Sequence, residues 1–175
     1  MLKIVSGGQT GIDRAALELA KEYGLPTGGF APKGFRTEDG DDFSLASFGL
    51  VETSSIKYPP RTRLNVQTSD ATLWIGPVGD YYGYACTKSA CAAYNKPFWE
   101  MLDGTGLILR LEVSSIKILN VAGPRGSRCR DAHQLVRDVL GPSFELLTGN
   151  CPAKVPKTST GKSVTPVDSD NASQV

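Results

Sequence analysis

A short, mostly apolar run at residues 2–5 leads directly into Ser6-Gly7-Gly8-Gln9-Thr10-Gly11, three glycines within five residues. Behind them Ile12, Ala15, Ala16, Leu19, Ala20 and Tyr23 recur at helical spacing, so the segment reads as strand, tight turn and helix over about 11–23. Backbone N–H groups of such a turn and of the first helical turn converge on one spot. The helix dipole adds partial positive charge there, which suits a phosphate. The competing reading of the glycines is a tight turn that needs positive φ. Gly24 and Pro26 mark the end of the helix.

The same alternation continues. Residues 27–30 and 50–53 read as strands, separated by a polar, glycine-rich stretch at 32–47 that carries Lys33, Arg36, Glu38, Asp39, Asp41 and Asp42. That stretch reads as a long loop, of the kind that often carries function. A helix opens at Pro59 or Pro60 and runs to about 69, and residues 71–75 form a buried strand with Trp74. An alanine-rich helix spans 87–95, strands follow at 98–101 and 116–121 with a short helix between them, and a last helix covers 127–140. Alternating strands and helices predict an α/β domain over 1–148 with a mostly parallel sheet and helices on both faces. Ligands in such sheets bind beyond the carboxyl ends of the strands. From 149 to 175 serine, threonine, proline and lysine dominate, and a disordered tail is expected.

Three strand–glycine–helix junctions carry the candidate binding residues. The first supplies Gly7, Gly8, Gln9, Thr10 and Gly11, with Arg14 one turn into the helix and Asp13 placed to orient it. The second is Asn120-Val121-Ala122-Gly123-Pro124-Arg125-Gly126-Ser127, where Arg125 can chelate an oxyanion and Ser127 offers an N-cap hydroxyl. In a parallel sheet both turns emerge on one edge, which makes the pair more specific than either turn alone. The third follows Trp74 and offers Gly83, Thr87 and a group of tyrosines that suit stacking on a planar ligand or walling a site. Arg61 and Asn65 lie four apart on one helical face: Asn65 suits a heterocycle edge, and Arg61 either reaches a phosphate or belongs to a solvated face. Lys33 is a candidate clamp cation.

The formal net charge of +1 gives no general attraction to nucleic acid or acidic membranes, and neither is expected as a partner. No apolar run is long enough to span a bilayer and no leader segment is legible, so a cytoplasmic location is expected. Cys86, Cys91, Cys129 and Cys151 form no C-x-x-C pair, and His133 is the sole histidine, which argues against a metal site and a disulfide framework. No Ser–His–acid or Cys–His arrangement is visible, so no catalytic residue is assigned.

The stretches 6–16, 28–34, 38–40, 52–54, 61–66, 69–73 and 119–127 follow one another in the order found in a known family. The chain resembles the molybdenum cofactor carrier proteins and their relatives, a circularly permuted branch of the SLOG-type Rossmann proteins. The resemblance implies a single Rossmann-like domain, usually homo-oligomeric, with dimers pairing into tetramers in carrier members. It implies a pocket for an anionic small molecule, Mo-molybdopterin, which carriers hold and protect without transforming it. Exchange with molybdoenzymes or cofactor-synthesis proteins would follow. Residues 7–11 and 123–127 would be the oxyanion-binding turns. The third turn departs from the family pattern, with Tyr82-Gly83-Tyr84 and a following Thr87 where relatives carry Gly-Gly-Thr. The alternative is a nucleotide- or phosphoribosyl-binding SLOG-type protein, either a sensor or a phosphoribohydrolase-like enzyme with Asp13 or Glu38 as acid or base. Against the enzyme, Thr87 is followed by Lys88-Ser89-Ala90, with no glutamate where that class carries its catalytic one.

Overall fold

The computed structural model describes residues 1–78, 82–101, 104 and 106–150. In chain order the elements are β1 (Lys3–Val5), α1 (Ile12–Glu22), β2 (Thr27–Ala31), β3 (Arg36–Thr37), β4 (Gly40–Asp41), β5 (Leu50–Glu52), α2 (Tyr58–Thr68), β6 (Ala71–Ile75), α3 (Tyr82–Ala93), β7 (Phe98–Met101), α4 (Leu107–Val113), β8 (Ile118–Ala122) and α5 (Ala132–Thr148). Six strands form one parallel sheet in the order β5-β2-β1-β8-β6-β7, and β3 and β4 make a small antiparallel pair. This is a Rossmann-like α/β fold. The chain builds outward from β1 through β2 to β5, crosses to β6 and β7, and returns to lay β8 between β1 and β6. Val5 and Thr72 both register with Asn120, so the carboxyl ends of β1, β8 and β6 emerge side by side. The turns that follow them therefore share one crevice, where the strand order reverses.

The helices cover both faces. On one side α1, α4 and α5 bury Ile4, Ile12, Leu73, Leu107, Leu119, Leu140 and Phe144 completely. On the other, Val66 of α2 and Ala90 and Cys91 of α3 form a smaller cluster. The helical stripe of α1 packs as its spacing predicts, and Leu17, off that stripe, is buried as well beneath Leu45, Phe48 and Leu50. The polar stretch at 32–47 is therefore not an open loop. It folds into two 3₁₀ turns, Lys33–Phe35 and Phe43–Phe48, around the β3–β4 hairpin.

Two helices differ in their bounds from the sequence expectation. The chain is helical from Tyr82, five residues ahead of Thr87, and α5 starts at Ala132 and runs on through Pro142 to Thr148. Proline removes one helical hydrogen bond, but Gly141, Ser143 and Phe144 are all buried, and their packing outweighs that loss. Gly104 is part of the reason: a Cβ there would lie 2.7 Å from the Val139 carbonyl oxygen and 3.0 Å from that of Asp138. Gly149, in the left-handed region at φ 69°, ends the helix. The expected disordered tail lies, from residue 151 onward, outside the described residues. Among the described residues no helix is long and apolar enough to cross a membrane.

Asn65 explains how β1 can end early. The chain leaves the sheet after the Ser6 N–H bonds to the Gly28 carbonyl, and Phe30 on the neighbouring strand is then left without a backbone partner on that side. The Asn65 carboxamide supplies both halves: Oδ1 accepts from the Phe30 N–H at 2.8 Å and Nδ2 donates to the Phe30 carbonyl at 3.0 Å. Asn65→Ala is expected to cost about 1–3 kcal/mol by leaving buried polar groups unpaired, measured by urea unfolding. A loss below about 0.5 kcal/mol, the size of an ordinary surface substitution, would deny it this role.

Candidate functional site

The two glycine turns are interlocked. The Ile12 N–H donates to the Pro124 carbonyl at 3.2 Å, the Gly126 N–H to Thr10 Oγ1 at 3.0 Å, and Ser6 Oγ to the Val121 carbonyl at 2.7 Å. Gly11 makes the approach possible: at φ 79°, a Cβ would stand 2.6 Å from Gly126 N and from the Pro124 carbonyl oxygen. Part of the turn's own donors are engaged. Gln9 N–H faces Asp13 Oδ2 at 3.4 Å and Thr10 N–H donates to Gln9 Oε1 at 2.9 Å. Among the described residues, the N–H groups of Gln9, Thr10 and Ile12 are thus taken up within the protein, while those of Gly7, Gly8 and Gly11 are not.

A cleft of about 120 Å³ lies beside the interlock, open to solvent. Gln9 and Asp13 come from the first turn and α1, Gly123, Pro124 and Arg125 from the second turn, with Arg128 one turn further. The start of α2 contributes Tyr58, Pro59, Arg61 and Thr62, and the start of α3 contributes Tyr82, Gly83, Cys86 and Thr87, with Trp74 from β6. Arg61, Arg125 and Arg128 thus face a single carboxylate, Asp13, among the described lining residues.

Asp13 and Arg61 form a buried pair, Nη1 to Oδ2 at 3.1 Å. Burial pushes the Asp13 carboxyl above its ordinary value, while the Arg61 guanidinium and the N–H groups of Gln9 and Gly123 pull the other way. The guanidinium lies flat over Gly7, where a Cβ would come within 1.4 Å of Nη1. Arg61 Nε is buried without a hydrogen-bond acceptor. The Tyr58 ring holds the Cζ atoms of Arg61 and Arg125 each 5.9 Å from its centroid.

Several residues expected at the ligand stand elsewhere. Arg14 points away from the cleft, binding Glu18 at 2.8 Å, Asp42 at 2.7 Å and Ser44 at 2.9 Å, with Phe48 beneath it. Asn65 is closed onto Phe30, and Asn120 donates to Thr72 Oγ1 at 3.1 Å inside the sheet. Lys33 is exposed outside the cleft lining, its N–H bonded to the Ser55 carbonyl. Gly7, Gly8, Thr10 and Gly11 form the turn behind the cleft wall, and Ser127 is bound to Glu38. Thr87 lines the cleft, but its hydroxyl donates to the Gly83 carbonyl at 2.8 Å. Sequence reading passed over Arg128, and the signal available for it was its spacing of three from Arg125.

Arg14 instead anchors the 3₁₀ turn at Phe43–Phe48 onto α1. The Asp42 carboxyl lies below its ordinary value because Ser44 donates to it, burial opposes this, and the Arg14 charge assists. A group depressed in the folded state stabilises above its unfolded pKa and loses that contribution as pH falls through the folded value. The stability gap between the native protein and Asp42→Asn is therefore expected to be full at pH 7 and to shrink below roughly pH 4. Thermal melts of both proteins across pH 7 to 3 check this, and a gap independent of pH would overturn it.

The sequence profile of the circularly permuted YpsA SLOG family matches residues 4–144. The crystal structure of a "putative molybdenum carrier protein" from Syntrophus aciditrophicus superposes with a TM-score of 0.71 at 35% identity, covering 82% of this chain and 94% of that one. No curated protein gives a significant match. The chain belongs to the circularly permuted YpsA SLOG family.

Proposed function

We propose that this protein is a carrier for the molybdenum cofactor, holding Mo-molybdopterin in the cleft without transforming it. The observation that carries the reading is Arg61: a cation in the cleft wall whose buried Nε has no acceptor in the protein. A buried charged donor without an acceptor is costly, and a turn of the side chain toward a ligand oxygen would relieve that cost. Arg125 and Arg128 add two further guanidinium groups, whose planar forks suit oxyanions. Tyr58, Trp74 and Tyr82 give the cleft aromatic surface for a planar ring system. The similarity to a structure named as a molybdenum carrier points the same way.

Support for holding rather than turnover comes from the carboxylates. Asp13 is bound to Arg61 and the Gln9 N–H, and Glu38 to Thr10 and Ser127, so neither stands free toward a substrate. A carrier would exchange its cargo with molybdoenzymes or cofactor-synthesis proteins. The second reading, a nucleotide-binding SLOG protein or phosphoribohydrolase, draws on the same aromatic and arginine surface.

The test is to purify the protein from cells that make the cofactor, assay released pterin fluorescence and bound molybdenum, and incubate the protein with nucleoside monophosphates. Pterin and molybdenum in near-equal amounts, with no base released, are expected. Hydrolysis of a nucleotide would sink the carrier reading. Arg125→Ala is expected to weaken binding by about 1.5–3 kcal/mol, the worth of a charged hydrogen bond. Equilibrium titration checks it, and an unchanged affinity would remove Arg125 from the site. Gly7→Ala is expected to displace Arg61 from Asp13, lowering both the melting temperature and the affinity. Native behaviour on both counts would show that Arg61 is held by neither.

A further inference from the structure

Glu38 follows β3 in the hairpin of the polar segment, and its carboxylate reaches across to both glycine turns. Thr10 Oγ1 donates to Oε1, the Ser127 N–H to Oε1 at 2.9 Å, and Ser127 Oγ to Oε2 at 2.5 Å. Arg125 Nε stands 3.8 Å from Oε2. The Glu38 side chain is 12% exposed, and its own N–H is fixed to Gln9 Oε1 at 2.9 Å. Two hydroxyls, one backbone N–H and one guanidinium therefore surround a carboxylate, and these are the donors an oxyanion would use. Burial works against the charge on Glu38, yet the bonds from Ser127 and Thr10 prevail and hold its pKa below the ordinary value. The group in this seat is thus an anion at neutral pH.

The seat and the cleft share one residue, Arg125. The element that brings Glu38 in is slight. β3 and β4 register through only Arg36↔Asp41 and Thr37↔Gly40, and Arg36, Gly40 and Asp41 are exposed. Withdrawing the hairpin would break the bonds of Glu38 itself and uncover Thr37, whereas the turns that hold Thr10 and Ser127 are locked to the sheet.

We propose that Glu38 is a resident anion in the ligand's oxyanion seat: a doubly charged oxyanion entering the cleft displaces its carboxylate from Arg125, Thr10 and Ser127, and a singly charged one does not. This rests on the reading of the cleft as an anion-holding site. Glu38 then sets a threshold of ligand charge, since a monoanion gains no more from the donors than the carboxylate already there.

Calorimetric titration of the full chain and of Glu38→Gln with molybdate, phosphate, formate and acetate at pH 8 tests the proposal. The native protein is expected to prefer the two dianions, and Glu38→Gln to bind formate and acetate roughly tenfold more tightly than the native protein does, which narrows the ratio between the classes. A Glu38 that only braced the hairpin would leave that ratio unchanged while weakening every anion, and that result would overturn the proposal. Because the variant can also loosen the hairpin, amide exchange is followed in the native protein. Residues 36–41 are expected to exchange faster with saturating molybdate, and slower or unchanged exchange would overturn the proposal. Arginine-dependent dianion binding with an unaltered ratio removes the role of Glu38 alone. Failure of both proteins to bind any of the four ions removes the anion-holding reading together with it.

Discussion

The architecture of the site depends on one close approach, that of the two glycine turns at the ends of β1 and β8. Adjacent parallel strands lie about 4.8 Å apart, so the turns leaving them compete for the same space. Gly11 resolves the competition by having no side chain where the Pro124 carbonyl and the Gly126 N–H pass at 2.6 Å from the missing Cβ. Gly123 does the same toward the Ile75 carbonyl, at 2.5 Å, and so brings the β6 edge into the group. With the backbones this close, Thr10 reaches Gly126 and Ser6 reaches Val121, and three strand ends become one rigid rim.

That rim positions charge as well as backbone. Gly7 leaves a flat place on which the Arg61 guanidinium lies, and Asp13, fixed one residue into α1, holds it there. Removing either member of a buried pair strands the other charge, so the pair is costly to break even where its net stabilisation is small. Its role here is orientation. α2 is tied to the sheet by Asn65 clasping Phe30 and, one turn earlier, to α1 by Arg61 binding Asp13. The two residues that share a helical face therefore both fasten the helix, and Arg61 alone keeps a donor to spare.

The six strands of the parallel sheet and the turns at their ends were legible because they are written in periodicity and in glycine, whereas the strand order was not. The apolar stripe of α1 had to face a core, and the turns had to emerge at one edge of a parallel sheet. The fates of single polar side chains were not legible in the same way. Arg14, Asn65 and Asn120 are the residue types that bind ligands, and they are equally the types that fill a gap in a hydrogen-bond ladder. The gap at Phe30 exists only because β1 stops where it does, and no local pattern announces it. The polar segment misled for a related reason: Leu45 and Phe48 sit among charged residues, and their burial depends on Leu17, a position off the main stripe of a distant helix. The extension of α5 past Gly141-Pro142 likewise rests on Phe144 finding the core and on Gly104 lying against the helix.

On the proposed carrier reading, the partly engaged turn sets what kind of anion site this would be. In a phosphate loop the free backbone N–H groups do the recognition, and their dipoles cannot move or be neutralised. Here the N–H groups of Gln9 and Gly123 already serve Asp13, that of Thr10 serves its neighbour's carboxamide, and that of Ile12 serves Pro124. On that reading side chains add to recognition: three guanidinium groups, two of them over the same tyrosine ring, against Asp13 among the described lining residues and Glu38 beside Arg125. Arg125 and Arg128, both exposed, could follow a ligand whose oxygens are arranged unlike those of a single phosphate, while Arg61 stays fixed on Asp13. Such a surface would suit holding and handing over, because Arg125 and Arg128 are exposed while the rim behind them is locked.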